Sequence, residues 1–149
     1  MKKQVEYEND IDSLKAEESL AKYSAEKDFT TLEAWKKSRI VKLFFYKEVL
    51  PNLPDEEKYN LNIQIRKSAV STTANISEGY GRYHFQEGIQ FYRISRGSMY
   101  EMKDHLISCY DLNFVNQQVF EKGISLIEDA KITLNGYIKF VQSQKNKGK

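Results

Sequence analysis

Cysteine is nearly absent: Cys109 stands alone in 149 residues, so no disulfide can close within one chain. That excludes a disulfide-stapled scaffold and fits a reducing compartment. Proline is almost as scarce, at two residues, and glycine is limited to seven. A loop-rich all-β fold needs a steady supply of both, whereas long helices do best with little of either. No apolar run approaches the roughly 18 residues of a membrane span. The opening MKKQVEYEND lacks the apolar stretch of a secretory signal. The expected location is the cytoplasm, with no membrane partner. Charge of one sign is not in large excess either. Lys and Arg number 23 against 21 Asp and Glu, a net +2, and a pI near 8.5 does not by itself point to nucleic acid.

What is present is ordinary in amount and uneven in placement. The length suits one domain with a sizeable core, and 10 Tyr with 8 Phe supply broad aromatic contacts. Residues 1–30 carry net −3 and the remaining 119 carry net +5, an acidic extension on a mildly basic body. Residues 1–28 have only weak periodicity, through Ile11, Leu14, Leu20 and Tyr23, and read as either a short amphipathic helix or a frayed extension.

Four helices follow. The first is expected from Thr30, with Thr30 and Glu33 spaced as a capping box, to Leu50 before Pro51. Ala34, Ser38, Val41 and Phe45 share one face. Leu32, Trp35, Ile40, Leu43 and Phe44 lie off its centre, an excess that suggests a second buried face at a subunit interface. The second is expected from Pro54 or Asp55, where Asp55, Glu56 and Glu57 suit the helix dipole. Leu61, Ile65, Ala69, Thr72 and Ile76 point inward, and the helix is expected to stop at Gly79-Tyr80-Gly81. The third spans Phe85 to Leu112, with Asn113 suited to a left-handed end. The fourth, capped by Asn116, carries Phe120, Ile124, Ile127, Leu134, Ile138 and Val141 inward and frays beyond Gln144. Short turns between long helices give an all-α, antiparallel up-down four-helix bundle over 29–144, flanked by the extension 1–28 and a disordered tail 145–149.

The second helix surrenders apolar bulk at Ser68, Ala69, Ser71, Thr72, Thr73, Ala74, Asn75 and Ser77. Close backbone packing or a hydrogen-bond network must offset that loss. Gln64, Ser71, Asn75 and Glu78 fall on one stripe at helical spacing, and the third helix offers Arg93, Ser98 and Glu101. Gly97 in mid-helix suggests a close helix contact. Glu78 and Glu101 have the chemistry of an acid–base pair. No nucleophile, metal or cofactor motif accompanies them, so a structural seam, with Arg66 or Arg93 neutralising a carboxylate, is the better reading.

The pattern Pro54, Glu56, Glu57, Tyr59, Leu61, Gln64, Arg66 followed by Ala69, Ser71, Ala74, Asn75, Glu78, Gly79, Gly81, Arg82 resembles the bacterial four-helix bundle family, the 23S rRNA intervening-sequence proteins. Leu32, Trp35 and Tyr46 match on the first helix, Phe91, Ile94, Arg96, Gly97 and Ser98 on the third, and Leu134, Asn135, Gly136, Ile138 and Lys139 on the fourth. The resemblance covers about 29–142. Thr73 stands where the family usually has proline, Gly88 where it has an aromatic and Gln90 where it has a basic residue. The resemblance implies a homo-oligomer, a pentameric barrel of bundles, with no known catalytic activity; no cofactor or metal is expected from the residues themselves. A related branch, the accessory variability determinants of diversity-generating retroelements, consists of basic pentamers that bind a reverse transcriptase and nucleic acid. The alternative function, an accessory protein for a reverse transcriptase, follows from that branch, and the mild charge of this chain argues against it.

The remaining candidates are weaker. Lys36, Lys37, Arg39, Lys42 and Lys47 make residues 31–50 net +3, a patch that could attract structured RNA when repeated in an oligomer. The competing reading is a solvated face whose stems cover apolar surface. His105 and Cys109, at i and i+4, resemble half a metal site and read better as packed core. Gly79-Tyr80-Gly81-Arg82 has the look of an anion turn, and helix termination explains it more simply. Trp35 and Phe44-Phe45-Tyr46 could stack on bases, but their spacing favours burial.

Overall fold

The computed structural model describes residues 27–148; the expectation of a helix or frayed chain through Ile11, Leu14, Leu20 and Tyr23 lies outside the described residues. Helix α1 runs Glu33–Phe44, later than the capping box implied. The Asp28 carboxylate accepts from the Thr30 amide at 2.8 Å and from its hydroxyl, closing a 3-10 turn at Phe29–Thr31. An ionised acceptor two residues upstream outcompetes the hydroxyl's role as a cap. At its far end α1 widens into a π turn, Phe45–Val49, then tightens into a 3-10 turn, Leu50–Asn52. The wide turn helps bring Phe45, Val49 and Leu50 inward together.

Helix α2 spans Leu61–Gly81. The acids expected in its first turn form a separate 3-10 turn, Asp55–Glu57. From there the Glu57 carboxylate accepts from the Leu61 amide at 3.2 Å, capping α2 from outside. The helix does not end at its glycines. It continues through Gly81, and Tyr83 takes the left-handed conformation at φ 51°, leaving the glycines free for another use described below. Helix α3 spans Phe85–Asp111, and Asn113 adopts φ 60° after it, as the sequence suggests. Helix α4 spans Gln117–Lys147, with the Asn116 side chain accepting from the Val119 amide at 2.8 Å. Residues 145–147, expected to fray, are its last turn.

Side-chain pairings set the directions. Lys37 meets Asp129 while Lys122 meets Glu48, so α4 runs against α1. Ser68 meets Glu101 while Gly79 lies against Gly88, so α3 runs against α2. Lys103 meets Glu128 while Gln86 meets Lys145, so α4 runs against α3. Each helix packs on its two neighbours in an up-down ring, and α2 with α3 is the most extensive contact. Among the described residues there is no strand. Val41, Ile65, Met99, Met102, Leu106, Ile127 and Leu134 fill the centre with no solvent exposure. Each such side chain contributes about 1.5–3 kcal/mol of burial.

Two neighbours also account for the apolar excess on α1. Trp35 and Phe44 are buried within the chain, the first edge-on to Phe29 and the second against Phe45. Leu32 and Leu43 are half-buried, and only Ile40 is largely exposed. The argument for a second interface on α1 therefore shrinks to Ile40 and Leu43. Close helix contact occurs at Gly79 and Gly88 instead of at Gly97. A Cβ on Gly79 would lie 2.7 Å from Tyr92 Cε1 and 3.0 Å from the Gly88 carbonyl, whereas one on Gly97 would meet nothing within 4 Å among the described residues.

Candidate nucleic-acid interface and polar seam

The small residues of α2 face α3 and hydrogen-bond across to it. Ser95 donates to the Thr72 carbonyl at 2.6 Å, deep in the contact. The Ser71 and Ser98 hydroxyls share a 2.7 Å bond, and Asn75 donates to both the Ser71 carbonyl and its hydroxyl at 2.8 Å. Ser68 donates to Glu101 at 3.1 Å. Spacing of three and four residues places Ser68, Ser71, Thr72 and Asn75 on one flank, and their lack of bulk lets the backbones approach. The seam thus unites Ser71, Asn75, Ser98 and Glu101, and it recruits Ser68, Thr72 and Ser95.

The other four expected members go elsewhere. Gln64 is exposed. Arg66 donates to Asn62 at 2.7 Å and lies over the Tyr46 ring. Glu78 pairs with Arg82 at 2.7 Å, one turn along the same helix, so neither Arg66 nor Arg93 neutralises it. Arg93 stands on the opposite, α4-facing flank of α3. Glu101 lies opposite Ser68, ten residues from Glu78 along α2, which is about 15 Å at 1.5 Å per residue. The two carboxylates therefore do not form a pair within proton-transfer reach.

The five α1 cations do not form one open patch. Lys36 pairs with Glu33 at 3.4 Å, and Lys37 turns toward α4, where its bond to Asp129 holds the ammonium above its usual range. Lys42 turns the other way and donates to Thr73 Oγ1 at 3.1 Å; burial, then the charge of Arg39, pushes it below its usual range. Arg39 lies 5.9 Å over the Trp35 ring. Lys47 alone is exposed with no carboxylate partner among the described residues. Trp35, Phe44 and Phe45 are buried, and none offers a stacking face. Gly79-Tyr80-Gly81 is helical, and its Arg82 is committed to Glu78.

A different basic surface emerges along the outer flank of α3 and α4. Midway along the α3–α4 contact, Glu128 accepts from Lys103 at 3.0 Å and from the buried Lys131 at 2.8 Å, whose ammonium lies 4.0 Å over the Tyr100 ring. Burial alone would lower Lys131, but Glu128 and Tyr100 overcome it and raise it. Further along, Arg96 donates to Asn135 at 2.9 Å, and Lys145 donates to Gln86. A cleft of about 350 Å³ opens between Gln86, Arg93, Gln142 and Lys145. Among the described residues, Arg93, Arg96, Lys139, Lys145 and Lys147 form no ion pair. A sequence signal for this surface exists: after Asp129 the chain has five lysines and no acid.

The hydrogen bonds from Lys131 and Lys103 hold the Glu128 carboxyl below its usual range. A depressed carboxyl pKa stabilises the fold above the unfolded value, and that gain is lost as pH falls through the folded pKa. Glu128→Gln is therefore expected to flatten the fall in Tm between about pH 6 and about pH 3. Because Glu128 is partly exposed, the effect at neutral pH should stay below about 1 kcal/mol. An unchanged acid limb would contradict this role.

His105 Nε2 is buried without a hydrogen-bond partner among the described residues, and the Cys109 thiol is pushed up to about 11 by burial, with the Glu57 charge adding to it. No group of three metal-ligating side chains occurs among the described residues, nor any helix long and apolar enough to cross a membrane.

The ring of antiparallel helices, with its polar groups drawn into one interhelical seam, defines an all-α four-helix bundle of the up-down class. The chain belongs to the family described as 23S rRNA-intervening sequence protein, whose pattern matches residues 30–136, from the turn before α1 to the middle of α4. No curated protein matches it.

Proposed function

We propose that this chain is a non-enzymatic, homo-oligomeric helical-bundle scaffold of the cytoplasm, assembled as a pentamer, that binds structured RNA. Family membership carries the reading, because the family's name ties it to the intervening sequence of 23S rRNA. The net +5 on residues 31–149 is compatible with a polyanionic partner. Assembly draws support from Gly97. A mid-helix glycine costs about 1 kcal/mol relative to Ala, and no contact among the described residues recovers that loss. A second copy pressed against this face would recover it. Ile94 and Val70, 51% and 49% exposed on the outer sides of α3 and α2, add apolar surface that such a copy would cover.

Light scattering at micromolar concentration is expected to give several times 17.5 kDa, and Gly97→Leu is expected to lower that mass by blocking close approach. A monomeric wild type overturns the assembly. Titration with 23S rRNA fragments tests the other half of the reading, and binding that is absent or indifferent to salt removes RNA as the partner.

A further inference from the structure

We propose that the cleft between the start of α3 and the end of α4, with Arg93 and Lys145 on its walls, binds the phosphate backbone of RNA. The inference rests on the RNA reading above and moves its site away from α1. Three observations converge on it. First, the cations are available: neither Arg93 nor Lys145 meets a carboxylate among the described residues, and Lys145 is held only by the neutral Gln86. On α1, by contrast, Lys36 and Lys37 are ion-paired and Lys42 is partly buried.

Second, the other groups lining the cleft suit an anion. Gln86, Gln142 and Asn146 bring amide groups able to donate to phosphate oxygens, and among the described residues no acid lines it. Third, the field is of one sign over some distance. From Gly88 to Tyr100 on α3 and from Ala130 onward on α4 there is no acidic residue, while Arg96, Lys139 and Lys147 add positive charge to the same two segments. Lys131 is not part of this field, being buried against Glu128; from Lys139 to Lys145 is six residues, about 9 Å of helix, room for more than one phosphate. Part of this charge also serves α4 itself, since Lys145 and Lys147 sit in its last turn and complement its dipole. That role leaves their ammonium groups at the surface for a ligand.

A competing occupant is the chain's own acidic segment, residues 1–26, with net −3. Lys27 is anchored at this end of the bundle, where its carbonyl accepts from the Tyr80 hydroxyl at 3.3 Å. Two unpaired cations with amide donors beside them favour the more highly charged RNA.

The test is a titration of the full chain with labelled 23S rRNA fragments between about 50 and about 200 mM salt. Arg93→Glu with Lys145→Glu is compared with Lys36→Glu with Arg39→Glu, and the neutral pair Arg93→Gln with Lys145→Gln guards against misfolding by charge reversal. The cleft reversal should weaken binding at least tenfold, and both cleft variants should flatten the log–log salt slope by about 1.4 to 1.8, the value for two lost phosphate contacts. The α1 variant should stay within about twofold of wild type. Undiminished binding by folded cleft variants, with loss in the α1 variant, overturns the cleft and leaves the RNA reading standing. No salt-dependent binding by wild type overturns the RNA reading and the cleft with it. If the cleft variants bind RNA normally but expose residues 1–26 to protease, the cleft holds the acidic segment and the proposal falls.

Discussion

Gly79→Val should cost about 3 kcal/mol or more, the upper range for overpacking a close contact. The first added carbon would meet Tyr92 Cε1 at 2.7 Å and both the Gly88 carbonyl and Phe91 Cβ at 3.0 Å. Tyr92 cannot swing aside easily, being buried and packed on Tyr137, and the Gly88 carbonyl belongs to a helix backbone. Relief therefore requires α2 and α3 to part, which strains the Ser95 bond to Thr72 and the Ser71 bond to Ser98. In a domain of this size each kcal/mol corresponds to roughly 2–4 °C in Tm, so a fall of about 6–12 °C is expected at fixed protein concentration. Gly81→Val is the control, because among the described residues nothing lies within 4 Å of its added carbon. Equal melting of the two variants would refute the close-contact role of Gly79.

Phe45→Ala should cost about 3–5 kcal/mol, as for other buried Phe truncations. Phe45 is fully buried and meets Phe44 edge-on at a 5.5 Å centroid separation. Its position at the head of the π turn matters as much as its volume, because the widened turn is what aims consecutive aromatics into one core. Truncation leaves a cavity between helices that are tied to their neighbours and cannot collapse to fill it. Phe140→Ala, at a ring 57% exposed on α4, should change stability by well under 1 kcal/mol. Urea denaturation of both variants measures the contrast, and a loss below about 1.5 kcal/mol for Phe45→Ala would contradict it.

How far the chain can be read without its fold depends on the range of the interaction concerned. Asn113 and Asn116 act on amides and carbonyls within a few residues, and both do what their types suggest. The start of α1 is local too, yet Thr30 had two competing uses, and Asp28 took it for a 3-10 turn. The end of α2 was harder to read because glycine serves two purposes. Gly79 has the residue type of a terminator, but its lack of a side chain is used for contact with α3, and Tyr83 makes the left-handed turn. The seam shows the same division. Serine and asparagine on one flank of α2 announce a polar contact, while which partners answer depends on how α3 is shifted against it.

The cations illustrate what is lost when charge is read along one helix. Lys36, Lys37, Arg39, Lys42 and Lys47 look like a patch because they are close in sequence. Lys37 and Lys42 nonetheless turn to opposite neighbours. Arg93 and Lys145 lie 52 positions apart in sequence, and the antiparallel packing of α3 and α4 puts them on the walls of one cleft. The sequence by itself determined the four helices, their inward faces and the family, because periodicity, caps and motif spacing act within a helix or turn. Tertiary structure alone decided that Gly79 is a contact and not an ending, that the seam runs from Ser68 to Asn75 against Ser95, Ser98 and Glu101, and that the open basic surface lies on α3 and α4. Those outcomes depend on the register between helices, which is set by the packing of all four at once.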